Sequence, residues 1–98
     1  MLRADVVYLI SQTPGKHGVF DPPTAETERM VYCTVRSVGM SEFYKAKEYG
    51  LAPEYVFELA DFADYEGERI VEYNNVRYEV IRTYVDGLKI EITVQEAK

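Results

Sequence analysis

The sequence predicts a mainly β protein: a small six-stranded antiparallel β-barrel or compact sandwich carrying one short helix, about residues 41–49. Three observations predict it. From Leu88 to Gln95 the chain alternates, with Leu88, Ile90, Ile92 and Val94 on one side and Lys89, Glu91 and Thr93 on the other, the period of a strand with one buried face. Two-residue turn signals at Asn74-Asn75 and Asp86-Gly87 separate the last three such runs, so these strands return on one another as hairpins. Between them and the N-terminus, the stretch RSVGMSEFYKAKEYG, Arg36 to Gly50, is the one segment that reads as a helix. At 98 residues the chain holds a single domain, 1–98.

The elements follow in order. Asp5–Ile10 is apolar on both faces, with Val6, Tyr8 and Ile10 alternating with Val7 and Leu9, which predicts a central strand. Ser11–Glu28 contains Pro14, Gly15, Gly18, Pro22 and Pro23 and has no periodicity. It predicts a long flexible loop, about 11–28, that orders against a partner if it orders at all. Val19 and Phe20 at its middle are out of keeping with a purely solvated linker. Lys16, His17, Val19, Phe20 and Asp21 are therefore the candidate partner-ordered residues. Arg29–Val38 is a second strand, with Val31, Cys33 and Val35 on one face. Ser41 is placed to cap a helix from Glu42 to about Tyr49, Gly50 suits its left-handed end, and Pro53 forbids its continuation. Such a helix is too short to persist alone and has to lean on something. Strands are then expected at Glu54–Phe62, Arg69–Tyr73, Val76–Tyr84 and Leu88–Gln95.

Composition narrows the function classes. The net charge of −6 is wrong for a protein that holds nucleic acid by its phosphates. No apolar run approaches the ~20 residues of a membrane-spanning helix, and the N-terminus lacks the apolar region and cleavage site of a signal peptide. The expectation is a soluble protein, made in the cytoplasm, with no membrane partner. Cys33 is the sole cysteine and His17 the sole histidine, so no disulfide, zinc cluster or nucleophilic triad can be assembled; Cys33 reads as a buried structural thiol. There is no phosphate-binding glycine loop, nucleophile elbow or HExxH pair. The expectation is no enzyme, no cofactor and no metal. From Glu54 to Glu68 six acids occur with no Lys or Arg. They read first as a solvated face. Repeated around a ring, they would form a zone that repels phosphate.

Taken in order, these features resemble the head-closure, or head–tail connector (adaptor), proteins of tailed bacteriophages. The likeness lies in the strand Asp5-Val-Val-Tyr-Leu-Ile10, the strand end Val35-Arg-Ser-Val38 leading into S-E-F-Y-K-A, the Y-x-G-E-R-I entry at Tyr65–Ile70, the Y-x-x-V-x-Y hairpin at Tyr73–Tyr78, and a last strand of alternating acids and aliphatics. It spans nearly the whole chain apart from residues 12–28. The resemblance implies a small β-barrel that assembles as a ring beneath the portal after packaging; the expectation is that small interfaces leave it a monomer when isolated. The resemblance also implies closure of the DNA exit channel and a docking surface for the tail or tail-completion protein. The site of action would be the virion neck, in a phage or prophage, with double-stranded DNA nearby but not bound by sequence.

Within that reading, Ser41, Glu42, Phe43, Tyr44, Lys45, Lys47, Glu48 and Tyr49 are the candidate ring or channel contacts. Aromatic side chains give contact area at little entropic cost, and mixed charges suit head-to-tail contacts. The helix either projects towards neighbours or plugs one end of the barrel. A competing reading is a non-viral β-barrel module that recognises a peptide or protein along a groove of Tyr8, Tyr32, Tyr55, Tyr73, Tyr78 and Tyr84.

Overall fold

Ile90, Ile92 and Val94 are buried and face the same core as Val7 and Leu9, Val31 and Cys33, Phe57 and Leu59, Val71, and Tyr78, so each strand contributes one apolar face. The computed structural model describes residues 5–14 and 24–97. The strands are β1 (Asp5–Pro14), β2 (Thr24–Ser37), β3 (Tyr55–Leu59), β4 (Ile70–Tyr73), β5 (Val76–Asp86) and β6 (Lys89–Glu96). Helix α1 (Met40–Lys47) lies between β2 and β3, and a 3-10 turn, Phe62–Asp64, between β3 and β4. The neighbour order is β1-β2-β3-β6-β5-β4, every pair is antiparallel, and β4 pairs back onto β1. Of the two architectures expected, the molecule is thus the closed barrel.

The hairpin turns use left-handed backbone. Asn74 and Asn75 both have positive φ, 52° and 66°, which matches the right-handed twist of β4 and β5. The β5–β6 turn falls one residue later than the sequence suggests, on Gly87 (φ 64°) and Leu88. Leu88 is therefore in the turn and 72% exposed rather than inward. Thr93, expected outward, is only 4% exposed, because something covers the outer wall over β6.

β1 and β2 correct the expected loop at 11–28. Their ladder runs from Asp5↔Cys33 to Pro14↔Thr24, so 11–14 and 24–28 are strand. β4 grips β1 only at Tyr8–Ile10, and β3 grips β2 only from Thr34. Beyond Ile10 and Glu28 the ladder, Ser11↔Thr27 to Pro14↔Thr24, has no third strand and forms a two-stranded arm that leaves the barrel. An arm with no core has no face to make apolar, so the period-two signal vanishes there although the strands persist. Lys16, His17, Val19, Phe20 and Asp21 lie outside the described residues. The radius of gyration, 14.8 Å, and extents of 48 × 31 × 26 Å reflect the arm; a compact chain of this size has about 13 Å.

Strand direction gives the barrel two unlike ends. β1, β3 and β5 run one way and β2, β4 and β6 the other. The arm, the β5–β6 turn and the β3–β4 connection gather at one end. The connection bearing α1, the Asn74-Asn75 turn and residues 5 and 97 gather at the opposite end.

Candidate functional site: the outer wall at the helix

α1 begins at Gly39, whose extended backbone (φ −67°, ψ 153°) lets its carbonyl accept from the Phe43 N–H at 2.9 Å. No side chain caps it. Ser41, expected as the cap, sits one residue into the helix. Glu42 in the first turn and Lys45 and Lys47 in the last match the helix dipole. The exit is as expected. Gly50 has φ 77°, its N–H donates to the Lys47 carbonyl at 3.0 Å, and the Leu51 N–H donates to the Ala46 carbonyl at 3.1 Å. This is the paired-bond ending that only glycine adopts without strain.

The helix plugs neither end of the barrel. It lies outside, over β5 and β6, and none of its eight residues is fully buried. Glu42, Phe43 and Ala46 are half-buried, and Glu42 accepts from Arg82 Nη2 of β5 at 3.1 Å. The chain then returns to β6. The Ala52 N–H donates to Gln95 Oε1 at 2.9 Å, the Glu54 N–H donates to the Val94 carbonyl at 2.8 Å, and Pro53 is buried. Between helix and wall runs a groove of about 280 Å³, walled by Ala46, Tyr49, Leu51, Pro53, Ile81 and Thr93 and rimmed by Glu42, Lys45 and Arg82. This cover buries Thr93, and Val56, its register partner on β3, is buried with it.

The eight expected contact residues thus lie on α1 and, for Glu48 and Tyr49, on the turn that ends it, against the outer wall. Ser41, Tyr44, Lys45, Lys47, Glu48 and Tyr49 are exposed, Tyr49 at 81%. Phe43 and Tyr44 meet edge-on with ring centres 5.7 Å apart, so the half-buried Phe43 holds the exposed Tyr44. Sequence reasoning missed Arg82, Ile81, Leu51 and Pro53. The signal was the adjacent apolar pair Val80-Ile81 inside an alternating run. It marks the register shift between Val80 and Arg82 that turns Ile81 toward the helix.

Other groups fill the barrel ends. At the helix end Tyr55, Phe57, Tyr73 and Tyr78 form one cluster, with Tyr55 edge-on to Tyr78 at 5.5 Å and Phe57 to Tyr73 at 5.3 Å. Burial pushes the hydroxyls of Tyr73 and Tyr78 up. Tyr8 and Tyr32 lie exposed on the outer wall and Tyr84 on β5. The six tyrosines therefore do not share a groove.

At the arm end Glu68 is buried and takes Arg29 Nη2 at 2.7 Å and the Glu66 N–H at 2.8 Å, while the Tyr65 hydroxyl donates to its carbonyl at 2.6 Å. Burial alone would raise the Glu68 carboxyl, but the Arg29 guanidinium and backbone N–H donors outweigh it and hold it below the usual range. The acidic run is accordingly divided. Glu54 is at the helix end, Glu58 lies 3.7 Å from Lys89, Asp61 accepts from the Ala63 N–H at 2.9 Å, and Glu68 is internal. Asp64 and Glu66 remain on the surface.

Cys33 is buried, and burial, with Asp5 nearby, pushes its thiol up to about 11. Among the described residues no three of His, Cys, Asp or Glu converge as a metal-ligand set, and no helix is long and apolar enough to cross a membrane. No protein-family model matches this chain, and no curated protein matches it.

Proposed function

We propose that this chain is a structural subunit of a bacteriophage head–tail junction. Copies stand as a ring beneath the portal, close the DNA channel after packaging, and offer the tail or its completion protein a docking surface. The position of α1 carries the reading: the charged, aromatic helix named by the resemblance is held outside a barrel whose core is complete without it. A helix in that position is available to neighbours. The arm and the β5–β6 hairpin extend the same subunit from one end, which favours contacts along a junction axis as well as around it. The portal acts as template, raising local concentration until weak contacts suffice. The negative net charge keeps packaged DNA from adhering as it leaves. The neck of the virion is the site of action, and the host cytoplasm the site of synthesis.

The groove beside α1 favours a second reading, a non-viral module that docks an apolar peptide between helix and wall.

Complementation separates the two. Packaged heads made without this chain lose DNA and fail to take tails. Purified wild-type protein restores both, and protein carrying Phe43→Ala with Tyr44→Ala does not. Equal rescue by the double variant removes the helix from the seal. Failure of the wild type to bind heads at all overturns the junction reading.

A further inference from the structure

β4 has four residues and β5 eleven. β4 covers β5 from Val76 to Glu79, and the Val80 N–H donates to the Arg69 carbonyl at 2.8 Å. Beyond that, β5 has β6 on one side and, among the described residues, no strand on the other. Residues 82–86 are all exposed. Arg82-Thr-Tyr-Val-Asp86 is thus an open edge rich in β-branched and aromatic residues, the kind that templates another strand.

We propose that this edge pairs with the same edge of a second copy. The two β5 strands lie antiparallel about a two-fold axis at Tyr84, joining two β5–β6 hairpins into one sheet. The proposal is independent of the junction reading, because it rests on strand lengths and charge positions rather than on α1.

Charge complementarity identifies the occupant. A two-fold axis through the sheet brings like faces together, so the axis must fall on a residue. Arg82, Tyr84 and Asp86 share a face, set by their pairing with Thr93, Glu91 and Lys89. Centred on Tyr84, each Arg82 lies opposite the other copy's Asp86, and Thr83 lies opposite Val85. Centred on Thr83 or Val85, neither charge meets its opposite. Parallel pairing in register sets Arg82 on Arg82 and Asp86 on Asp86. Opposed like charges destabilise a ladder and opposed unlike charges stabilise it. A charged edge ordinarily blocks self-association; here the two charges favour the register centred on Tyr84 over its neighbours and oppose parallel pairing. Arg82 uses Nη2 for Glu42 at 3.1 Å and keeps further N–H donors on a guanidinium that is 60% exposed. Asp86 has no ion-pair partner among the described residues. Edges this short bury less than the ~1,200 Å² of a stable interface, so the pair is reversible and forms at high protein concentration.

Sedimentation of the purified chain over a concentration series into the millimolar range tests this. The wild type is expected to move from monomer to dimer. Arg82→Asp alone and Asp86→Arg alone each weaken pairing by about tenfold or more, since two unlike pairs become two like ones. The combined exchange, Arg82→Asp with Asp86→Arg, restores it. Amide resonances of residues 82–86 in the wild type shift with concentration while those of β3 stay fixed, a readout that needs no variant. A wild type that remains monomeric throughout, single variants that pair as well as wild type, or an exchange variant that does not recover would each overturn the proposal. None of these results bears on whether packaged heads bind the protein.

Discussion

Among single residues, Glu68 does something a surface carboxylate does not: it sits inside one end of a barrel and is kept ionised there. Its folded pKa lies below its unfolded one, so its contribution is present above the unfolded value of about 4.3 and is lost as pH falls through the lower folded value. Glu68→Gln should lower stability by about 1–3 kcal/mol at neutral pH, because Arg29 loses a charge-assisted partner. The gap between variant and wild type in urea midpoint should shrink as pH is taken from 7 toward 3. A gap that stays constant would remove the charge from the explanation. Phe57 illustrates the plainer case. It is fully buried and touches three aromatic neighbours, so Phe57→Ala should cost about 3–5 kcal/mol in equilibrium unfolding. Glu68 was illegible in the sequence because its partner Arg29 is 39 residues away, and only the closed barrel brings them together.

At the scale of elements, legibility followed burial. β6 was readable because Ile90, Ile92 and Val94 face a core, and the C-terminal end of α1 because Gly50 has to adopt a left-handed backbone. The arm strands were not readable, since neither face of a free ribbon is selected for apolarity. The site was half readable. The exposed residues of α1 announce themselves by composition, whereas Ile81 and Thr93 become part of a groove only after a register shift and a covering helix. Gly50→Ala should cost about 1–2 kcal/mol. A methyl group there would meet nothing within 4 Å, so the whole effect is backbone strain at φ 77°. The helical signal in circular dichroism should fall little, because α1 is anchored through Pro53 and Glu54 on the β6 side.

For the molecule as a whole, the arm and the barrel are separable in energy. The arm is joined to the barrel through the β1–β2 ladder and, at the exposed surface, by Arg77, which donates from both terminal nitrogens to the Glu26 carboxylate at 3.0 Å, a contact screened by solvent. Ser11 and Thr27 are register partners, so residues 12–26 can be replaced by a two-residue Asn-Gly turn. The shortened chain should keep the near-ultraviolet signature of the tyrosine cluster and a urea midpoint near that of wild type, and scattering should report a smaller radius of gyration. Loss of cooperative unfolding in the shortened chain would mean the arm is part of the core.

The brevity of β4 has a mechanical corollary. Three residue pairs hold it to β1 and four hold it to β5, whereas the β1–β2 ladder has ten. The wall is a rolled sheet fastened by a narrow clasp. A pull across the molecule would first part it between Ile70 and Glu72, its shortest seam, and next at the four-pair ladders, while the ten-pair β1–β2 hairpin would hold longest.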